Sequence, residues 1–234
     1  MPSLSLVIPA YNEEAGLAST VQRCQTTLQK CTDDYEIVIL DDCSKDNTVQ
    51  LMEQIRQTDP AHIRTMSHET NKGIATTFED LYRAATKEYV FLIPGDGEYP
   101  PEALERAMPL LNDFDIVVCR RIQKNYTFYR HIVSNLYRWL TVILFGVELY
   151  DPGTTKIVKR EIYTSIPVTC TSVYVEAERM VRAVKKGYRL TAIDIVQEVR
   201  KGGVARGARW ATVWASGKDV LRLWWELMIL RRKI

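Results

Sequence analysis

Acidic residues stand directly after three short apolar runs in this chain, and they could serve one chemical purpose. The runs occupy residues 4–8, 35–40 and 89–93. The acidic residues that follow them are Glu13, Asp41, Asp42, Asp96 and Glu98. Ligands of open α/β sheets bind outside the carboxyl ends of the strands, which share one edge. We therefore expect these carboxylates to converge on one crevice.

The pair Asp96 and Glu98 suits a divalent cation. One residue separates the two carboxylates, on a turn-rich loop that begins with Pro94 and Gly95. Mg²⁺ is usually held by one or two protein carboxylates together with substrate phosphates. A single aspartate at a strand end is commonly a turn residue, but turn chemistry does not require acids after three strands. We predict a site for Mg²⁺ or Mn²⁺ with a phosphorylated substrate.

The elements that must position these residues alternate between strand and helix patterns. Apolar runs predict strands at residues 4–8, 35–40, 63–66, 89–93, 115–119 and 190–196. Helical spacing predicts helices at 17–28, 74–85, 128–145 and 210–230. It also predicts one helix that begins after Ser44 or Asp46 as its N-cap and another that begins at Pro100. This alternation is typical of an α/β domain with a mostly parallel central sheet flanked by helices.

The composition excludes several classes of protein. A net charge of +2 with 46% hydrophobic residues fits one globular domain and does not indicate a nucleic-acid-binding protein. Five cysteines without a C-x-x-C pair indicate neither a disulfide framework nor a zinc site. The first residues lack a signal-peptide pattern, and the longest uncharged apolar stretch, residues 139–147, is far shorter than the roughly 20 residues of a spanning helix. We expect a cytoplasmic protein.

The charge is unevenly distributed along the chain. Residues 199–234 carry a net charge of +7, whereas residues 1–198 carry −5. Because the basic end is also rich in tryptophan, it resembles an interfacial helix, and we predict that residues 209–234 form an amphipathic extension on a membrane surface. In the alternative interpretation, an apolar set packs back on the domain: Trp214, Leu221, Trp225 and Met228.

Four segments, in order along about the first 120 residues, resemble the family 2 glycosyltransferases. They are VIPAYNEE at 7–14, ILDDCSKDNT at 39–48, NKG at 71–73 and the Asp96 loop before Pro100 and Pro101. Later segments resemble the polyprenyl-phosphate branch, typified by dolichol-phosphate mannose synthases: residues 115–121, 128–134, 151–152 and 200–206. The resemblance implies a GT-A fold over residues 1–208. It also implies inverting transfer of a sugar from a UDP- or GDP-sugar to a polyprenyl phosphate at the cytoplasmic face of a membrane.

The resemblance also implies roles for individual residues. The nucleotide-sugar would contact Pro9, Ala10, Tyr11, Glu13, Asp41, Asp42, Lys72, Gly73, Gly95 and Asp96. Phosphates of donor or acceptor would contact Arg121, Arg130, Ser134, Lys156, Arg200 and Arg206. The metal would bind Asp96 and Glu98, and the catalytic residues would be Asp96, Asp151, Arg121 and Arg130. A membrane-embedded partner or a second copy of the chain is compatible with this branch.

Two positions depart from the family pattern. Pro94 stands where the D-x-D metal motif has its first Asp, so Asp96 supplies the last Asp and Glu98 the assisting neighbour. After Asp151, residues 152–155 read Pro-Gly-Thr-Thr where the family commonly has a Ser/Cys-Gly-Phe step. The identity of the sugar and of the acceptor therefore stays open.

The acceptor decides between two chemistries. A phosphate monoester, with a second pKa of about 6, is mostly dianionic near neutral pH and needs no general base. A hydroxyl acceptor on a glycan or small molecule does need one, and Asp151 is then the candidate, or else it orders the acceptor loop. A third hypothesis, prompted by Pro94, is a nucleotide-sugar-binding protein without activity. A dinucleotide-dependent oxidoreductase is disfavoured because no G-x-G-x-x-G follows the first apolar run.

Residues with weaker signals have structural interpretations. His62, His68 and His131 lack metal-binding spacing, so we interpret them as surface or supporting groups. Glu176 and Glu178 are interpreted as residues near the start of a helix.

Overall fold

The structure, a computed structural model, describes residues 1–123, 128–170, 172, 174–198 and 210–230. Its strands are β1 (Leu4–Ala10), β2 (Tyr35–Asp41), β3 (Ile63–Ser67), β4 (Tyr89–Leu92), β5 (Ile116–Gln123), β6 (Lys156–Lys159) and β7 (Leu190–Val196). Within the described residues these seven strands form one sheet in the order β3-β2-β1-β4-β6-β5-β7. All neighbouring strands are parallel except β6, which runs antiparallel to β4 and β5.

Helices cover both faces of the sheet. They are α1 (Leu17–Cys31), α2 (Thr48–Thr58), α3 (Ile74–Ala84), α4 (Ala103–Ala107), α5 (Phe128–Phe145), α6 (Arg160–Ser165), α7 (Val175–Lys185) and α8 (Trp210–Trp224). The apolar side chains of α1, α2 and α4 pack on one face, and those of α3, α7 and α8 pack on the other. Because both faces are covered, β1, β2 and β4 are buried along their whole length, which explains their continuous apolar runs.

The structure confirms the predicted α/β class and the positions of the predicted strands. The helix at 128–145 and the strand at 190–196 have the predicted bounds. Strand β5 continues to Gln123, four residues beyond the predicted end. Strand β6 and helix α6 were not predicted.

Two predicted helix starts are wrong. The helix expected from Pro100 begins at Ala103, because the carbonyls of Pro100 and Pro101 first accept tight-turn hydrogen bonds from Ala103 and Leu104. The N-cap of α2 is Asn47 rather than Ser44 or Asp46. Asp46 nevertheless accepts a 3.0 Å hydrogen bond from the Thr48 backbone N–H, so it supports the first turn from one position further back.

The C-terminal helix packs on the domain through a set of residues different from the expected one. Helix α8 continues as a π-helical turn, Trp225–Ile229. Among its described side chains the buried apolar ones are Val220, Leu223 and Leu227, whereas Trp214, Leu221, Trp225 and Met228 are exposed. The interpretation that these four pack on the domain is therefore wrong. Among the described helices, none is long and apolar enough to cross a membrane.

A buried carboxylate ties the amino ends of β1 and β2 to the segment before β4. Glu36 accepts hydrogen bonds from the Ser5 hydroxyl at 2.6 Å, from the Thr86 backbone N–H at 2.7 Å and from Arg64 at 2.8 Å. Burial opposes ionisation of Glu36, but these hydrogen bonds together hold the pKa of its carboxyl below the usual value. The ionised form therefore stabilises the folded state.

Replacing this carboxylate should change both the stability and its pH dependence. We expect Glu36→Gln to lower the free energy of unfolding by about 2 kcal/mol at pH 7, since charge-assisted hydrogen bonds are lost. The folded-state pKa lies below the unfolded value of about 4.3, so the wild-type advantage is present above that value and disappears as the pH falls through the folded-state pKa. Urea unfolding of both proteins from pH 7 to pH 3 measures this. Glu105→Gln, at an exposed pair with Lys30, is the control and should change stability by less than about 1 kcal/mol; an equal loss in both variants would contradict the account.

Candidate functional site

The loops after β1 and β2 are fastened to each other at the carboxyl edge of the sheet. The Asn12 backbone N–H donates to Ser44 Oγ at 2.8 Å, and the Asn12 side-chain oxygen accepts from the Lys45 N–H at 2.8 Å. The Glu13 N–H donates to Thr48 Oγ1 at 2.9 Å. Asn12 has a φ of 56°, a conformation that asparagine tolerates better than most residues. These bonds bring two of the predicted acidic segments together.

Asp41 and Asp42 have different structural tasks. Asp41 closes its own loop, because its carboxylate accepts hydrogen bonds from both the Ser44 N–H and the Ser44 hydroxyl. Asp42 reaches across to a third segment: its oxygens accept from the Lys72 N–H at 2.8 Å and the Gly73 N–H at 2.9 Å. Gly73 has a φ of 82°, which glycine adopts without strain. The Asp42 carboxylate thus holds the NKG loop against the end of β2.

His68 supports this arrangement, and its structural role is more specific than the sequence indicates. Its ring bridges two carboxylates, with Nδ1 2.8 Å from Asp42 and Nε2 3.1 Å from Asp80. The side chain is almost fully buried. The sequence signal for this role is the position of His68 directly after β3, at the same edge as Asp42. The interpretation of His68 as a supporting group is confirmed. The alternative interpretation, that His68 is a surface group, is wrong.

The loop after β4 carries the predicted metal ligands. The Gly95 N–H is 3.4 Å from the Pro9 carbonyl, and a Cβ at Gly95 would lie 3.3 Å from Leu17 Cδ1, so this loop lies tightly against the end of β1. Asp96 is buried and accepts a 3.0 Å hydrogen bond from the Glu98 N–H. The Glu98 carboxylate accepts from the Gln197 side chain at 2.8 Å.

A buried ion pair forms the wall next to this loop. Arg121, at the carboxyl end of β5, donates from Nε and Nη2 to the two oxygens of Asp151 at 2.8 and 2.9 Å. The two side chains are 5% and 2% exposed. Arg121 also donates from Nη1 to the Tyr99 hydroxyl at 3.3 Å. One guanidinium therefore joins β5, the loop before β6 and the loop after β4.

A cavity of about 300 Å³ opens between these loops. Asp96, Glu98 and Tyr99 line it on one side, and residues 152–156 on another. At its base the ammonium of Lys156 lies 3.0 Å from Glu176, and both side chains are nearly buried. Burial opposes ionisation of Glu176, but the positive charges of Lys156 and Arg179 hold the pKa of its carboxyl below the usual value.

The donor set in this cavity fits a hard divalent cation. Among the described residues no group of three or more histidine, cysteine or acidic side chains forms a metal cluster. Asp96 and Glu98 nevertheless both line the same cavity. Two carboxylates with room for phosphate oxygens are the arrangement that Mg²⁺ accepts. The residues present therefore fit a metal that a phosphorylated substrate helps to bind.

Other predicted site residues are placed differently. Lys72 is half-exposed, and its Nζ is 3.7 Å from Asp80. Arg130 and Ser134 lie on α5, but their side chains fall outside the described part of the structure, as do Arg200 and Arg206 altogether. Of the predicted carboxylates, Asp96 and Glu98 line one cavity with Lys156, and the Arg121–Asp151 pair joins that group through Tyr99. Asp41 and Asp42 hold the neighbouring loops instead.

The buried ion pair predicts how Asp151 variants behave. Replacing Asp151 by Asn leaves the Arg121 charge buried without its counterion, so we expect the free energy of unfolding to fall by about 3–5 kcal/mol. Loss of turnover in this variant would then not by itself identify a general base. Asp194→Asn is the matched control, because Asp194 pairs with the neighbouring Arg120 on an exposed surface, where solvent screens the pair and the variant should unfold much like the wild type. Urea unfolding measures both, and equal losses would refute a structural role for the Asp151 pair.

Comparisons with known proteins agree with this geometry. The chain matches the family described as Glycosyl transferase family 2 over residues 5–173. It is 24% identical over 151 residues to the undecaprenyl-phosphate 4-deoxy-4-formamido-L-arabinose transferase of Proteus mirabilis (strain HI4320), covering 64% of this chain and 46% of that protein. The chain thus spans about half the length of this curated relative.

Two solved structures of glucosyl-3-phosphoglycerate synthase from Mycobacterium tuberculosis have the same fold. The complex with Mn²⁺, UDP and phosphoglyceric acid has a TM-score of 0.69 at 20% identity and covers 96% of this chain and 78% of that one. The complex with Mg²⁺ and UDP has a TM-score of 0.68 at 18% identity, covering 96% and 79%. The fold is therefore GT-A. Because the family match covers more than half of its residues, this chain belongs to glycosyl transferase family 2.

Proposed function

We propose that the protein is an inverting glycosyltransferase that moves a sugar from a nucleotide diphosphate sugar to a polyprenyl phosphate at the cytoplasmic face of a membrane. One observation carries this proposal: the carboxylates Asp96 and Glu98 share a cavity with the loop that follows Asp151. A donor diphosphate with its metal and an acceptor can therefore meet in one place. The inversion follows from the family resemblance.

The donor half of the proposal rests on the fastened loops. The two glucosyl-3-phosphoglycerate synthase structures hold UDP with Mn²⁺ or Mg²⁺, and they share the fold of this chain. Here the loops after β1, β2 and β3 meet through Asn12, Ser44 and Asp42. We infer that the base and ribose lie against these loops and that the diphosphate extends toward Asp96.

The chain's own groups can assist departure of the nucleoside diphosphate. Asp96 and Glu98 would hold the metal, which would supply positive charge to the diphosphate leaving group. Lys156 adds a buried cation at the base of the same cavity. Such fixed charges stabilise developing negative charge without reorganising at the moment of reaction.

The state of Asp151 favours a phosphate as the acceptor. A hydroxyl acceptor needs a general base, but both oxygens of Asp151 accept hydrogen bonds from Arg121. This supports the hypothesis that Asp151 orders the acceptor loop. A phosphate acceptor needs no such base. The Proteus mirabilis relative is named for an undecaprenyl-phosphate substrate, which agrees with this choice.

An exposed apolar surface supports the membrane part of the proposal. Helices α5 and α8 pack against each other. The exposed large side chains on them are Leu136, Trp139 and Ile143 on α5, and Trp214 and Leu221 on α8, with Trp225 on the following turn. Arg138, Lys218 and Arg222 lie among them on the same helices, and the Lys218 ammonium is 5.6 Å from the Trp214 ring centre. Each of the two helices thus exposes aromatic or other apolar side chains together with basic residues, a composition that is typical of interfacial binding.

A transfer assay tests the proposed reaction. We expect radiolabel from one of a panel of UDP- and GDP-sugars, with Mn²⁺, to enter an organic-extractable product when a polyprenyl phosphate is present. Asp96→Asn should lower the rate at least 100-fold because a charge-stabilising ligand is lost. Phosphoglycerate, which carries both a hydroxyl and a phosphate, serves as the comparison acceptor, and mild acid, which releases sugar from a glycosyl phosphate much faster than from a glycoside, shows which group was glycosylated. An acid-stable aqueous product with phosphoglycerate alone would favour the hydroxyl-acceptor alternative, and donor binding without transfer to either acceptor would favour a binding protein.

Membrane attachment can be tested separately by sedimentation with vesicles. We expect the protein to sediment with vesicles containing anionic lipid at 0.15 M salt, and the double variant Trp214→Ser/Trp225→Ser to lose at least tenfold in vesicle affinity, since two exposed aromatic side chains no longer insert. Val49→Ser, which removes an exposed apolar side chain on α2, is the control and should bind like the wild type. Unchanged binding of the double variant would remove the support for this surface.

A further inference from the structure

A second cavity lies beside the first, and the proposed reaction does not use it. Its volume is about 530 Å³, and it is bounded by α3, by α6 with the loop that follows it, and by α7. Its lining includes Glu79, Tyr82, Arg83, Tyr163, Ser165 and Arg179. Tyr82 lines both cavities. The second cavity is therefore separate from the donor site but adjacent to it.

Arg179 is an unusual residue to find in this position. Its side chain is only 1% exposed. One guanidinium nitrogen, Nη2, contacts the Glu79 carboxylate. The other two, Nε and Nη1, are buried and have no hydrogen-bond acceptor among the described residues. Leaving such charged donors unpaired costs folding free energy, so a buried group of this kind calls for a ligand or another explanation.

The surroundings compensate the charge of Arg179 only in part. The rings of Tyr82 and Tyr163 stack on each other, and their centres lie 5.5 and 5.0 Å from the Arg179 guanidinium carbon. Burial raises the pKa of the Glu79 carboxyl, and Glu79 contacts only one of the three guanidinium nitrogens of Arg179. Arg83 adds a second, exposed positive charge at the rim, shared with Asp80. Of the charged residues that line the cavity, Arg83 and Arg179 are positive and Glu79 is negative, and Glu176, the other carboxylate near Arg179, is already paired with Lys156. The lining therefore carries a net positive charge, which suits an anion.

We propose that this second cavity binds a compact oxyanion, a phosphate or carboxylate group, with Arg179 as its principal partner. The volume exceeds that of a bare phosphate, so the anion can be part of a small organic molecule. The Arg83 charge and the Ser165 hydroxyl lie at the same cavity and can contact the ligand. An oxyanion is the complement of an arginine because guanidinium N–H groups match its oxygens in geometry and charge.

Binding in the second cavity could affect the reaction cavity, which is the cavity of about 300 Å³ that contains Asp96 and Glu98. Arg179 lies three residues after Glu176 on α7, and its positive charge contributes to the ionised state of Glu176. Glu176 in turn pairs with Lys156 at the base of the reaction cavity. A bound anion would offset the charge of Arg179. Binding in the second cavity would therefore change the electrostatic environment of the Lys156–Glu176 pair, which lies one helical turn away.

Calorimetric titration of the full chain with inorganic phosphate tests the site. We expect saturable binding that weakens at least tenfold in Arg179→Met and tightens several-fold in Glu79→Gln, because the first removes the partner and the second removes a competing carboxylate. Arg179→Met alone leaves Glu79 without its counterion, so the double variant Arg179→Met/Glu79→Gln is measured beside it, because replacing both members of a buried pair by uncharged groups is often neutral for folding. The double variant should lose phosphate binding to the same extent as Arg179→Met. Arg56→Met, at an exposed pair on α2, is the matched control and should bind phosphate like the wild type.

Two further binding experiments show whether the anion belongs to a free small molecule or to a lipid headgroup. Acetate replaces phosphate in one, and vesicles containing phosphatidic acid replace it in the other. Binding of phosphate or acetate in solution that depends on Arg179 supports a site for a free small molecule, whereas Arg179-dependent binding of the vesicles alone assigns it to a lipid headgroup. Equal phosphate affinity in the wild type, Arg179→Met and Glu79→Gln would overturn the proposal, and so would the absence of binding by every anion. Neither result bears on sugar transfer, which uses the other cavity.

Discussion

The buried pair of Arg121 and Asp151 is the interaction on which the site depends most. A charge that is removed from water must be matched by a partner in good geometry, or it destabilises the fold. Arg121 is matched by both oxygens of Asp151, and its remaining Nη1 nitrogen reaches Tyr99. The loops that bring these three residues together are consequently not free to move apart. Two of them, the loop after β4 and the loop before β6, also line the cavity that contains Asp96 and Glu98, so a single guanidinium joins two of its walls.

A buried carboxylate, Asp42, likewise holds together the loops that we propose bind the donor. Asp42 is held by two backbone N–H groups and by His68. Parallel strand order brings the carboxyl ends of β1, β2 and β4 to one edge, but it does not determine the paths of the loops that leave them. The loop paths are determined by polar contacts between neighbouring loops. The acidic residues at this edge thus divide into those that hold loops together, Asp41 and Asp42, and those that line the cavity, Asp96 and Glu98.

Much of the fold could be predicted from the sequence because its signals are local. The runs that became β1, β2 and β4 are apolar throughout, and a fully covered parallel strand requires this. Strand β6 has lysine at both ends of its four residues, so it carries no such run, and its pairing depends on partners distant in sequence. Motif resemblance identified the residues of the loops that we propose bind the donor, whereas the hydrogen-bond partners of these residues could not be predicted.

The burial of the charged residues on α7 could not be predicted from the sequence. Glu176, Glu178, Arg179 and Arg182 lie on one helix and are all buried, although charged residues normally indicate a solvated face. Each is paired at least in part with a group on another element or one turn away, such as Lys156 for Glu176 and Glu79 for Arg179. Pairings of this kind depend on tertiary structure, and no periodicity reveals them. The second cavity could not be foreseen for the same reason.

The central claim is that four loops at one edge of the sheet form a single donor site. Hydrogen–deuterium exchange with and without saturating UDP or GDP and Mn²⁺ tests it most directly, after calorimetry has shown which nucleotide binds. The account predicts slower exchange in peptides that contain residues 9–13, 41–44, 71–73 and 94–99, because the ligand contacts or stiffens all four. Exchange at the α6–α7 cavity should be much less affected. Tight nucleotide binding that leaves 41–44 and 94–99 unprotected would contradict the account.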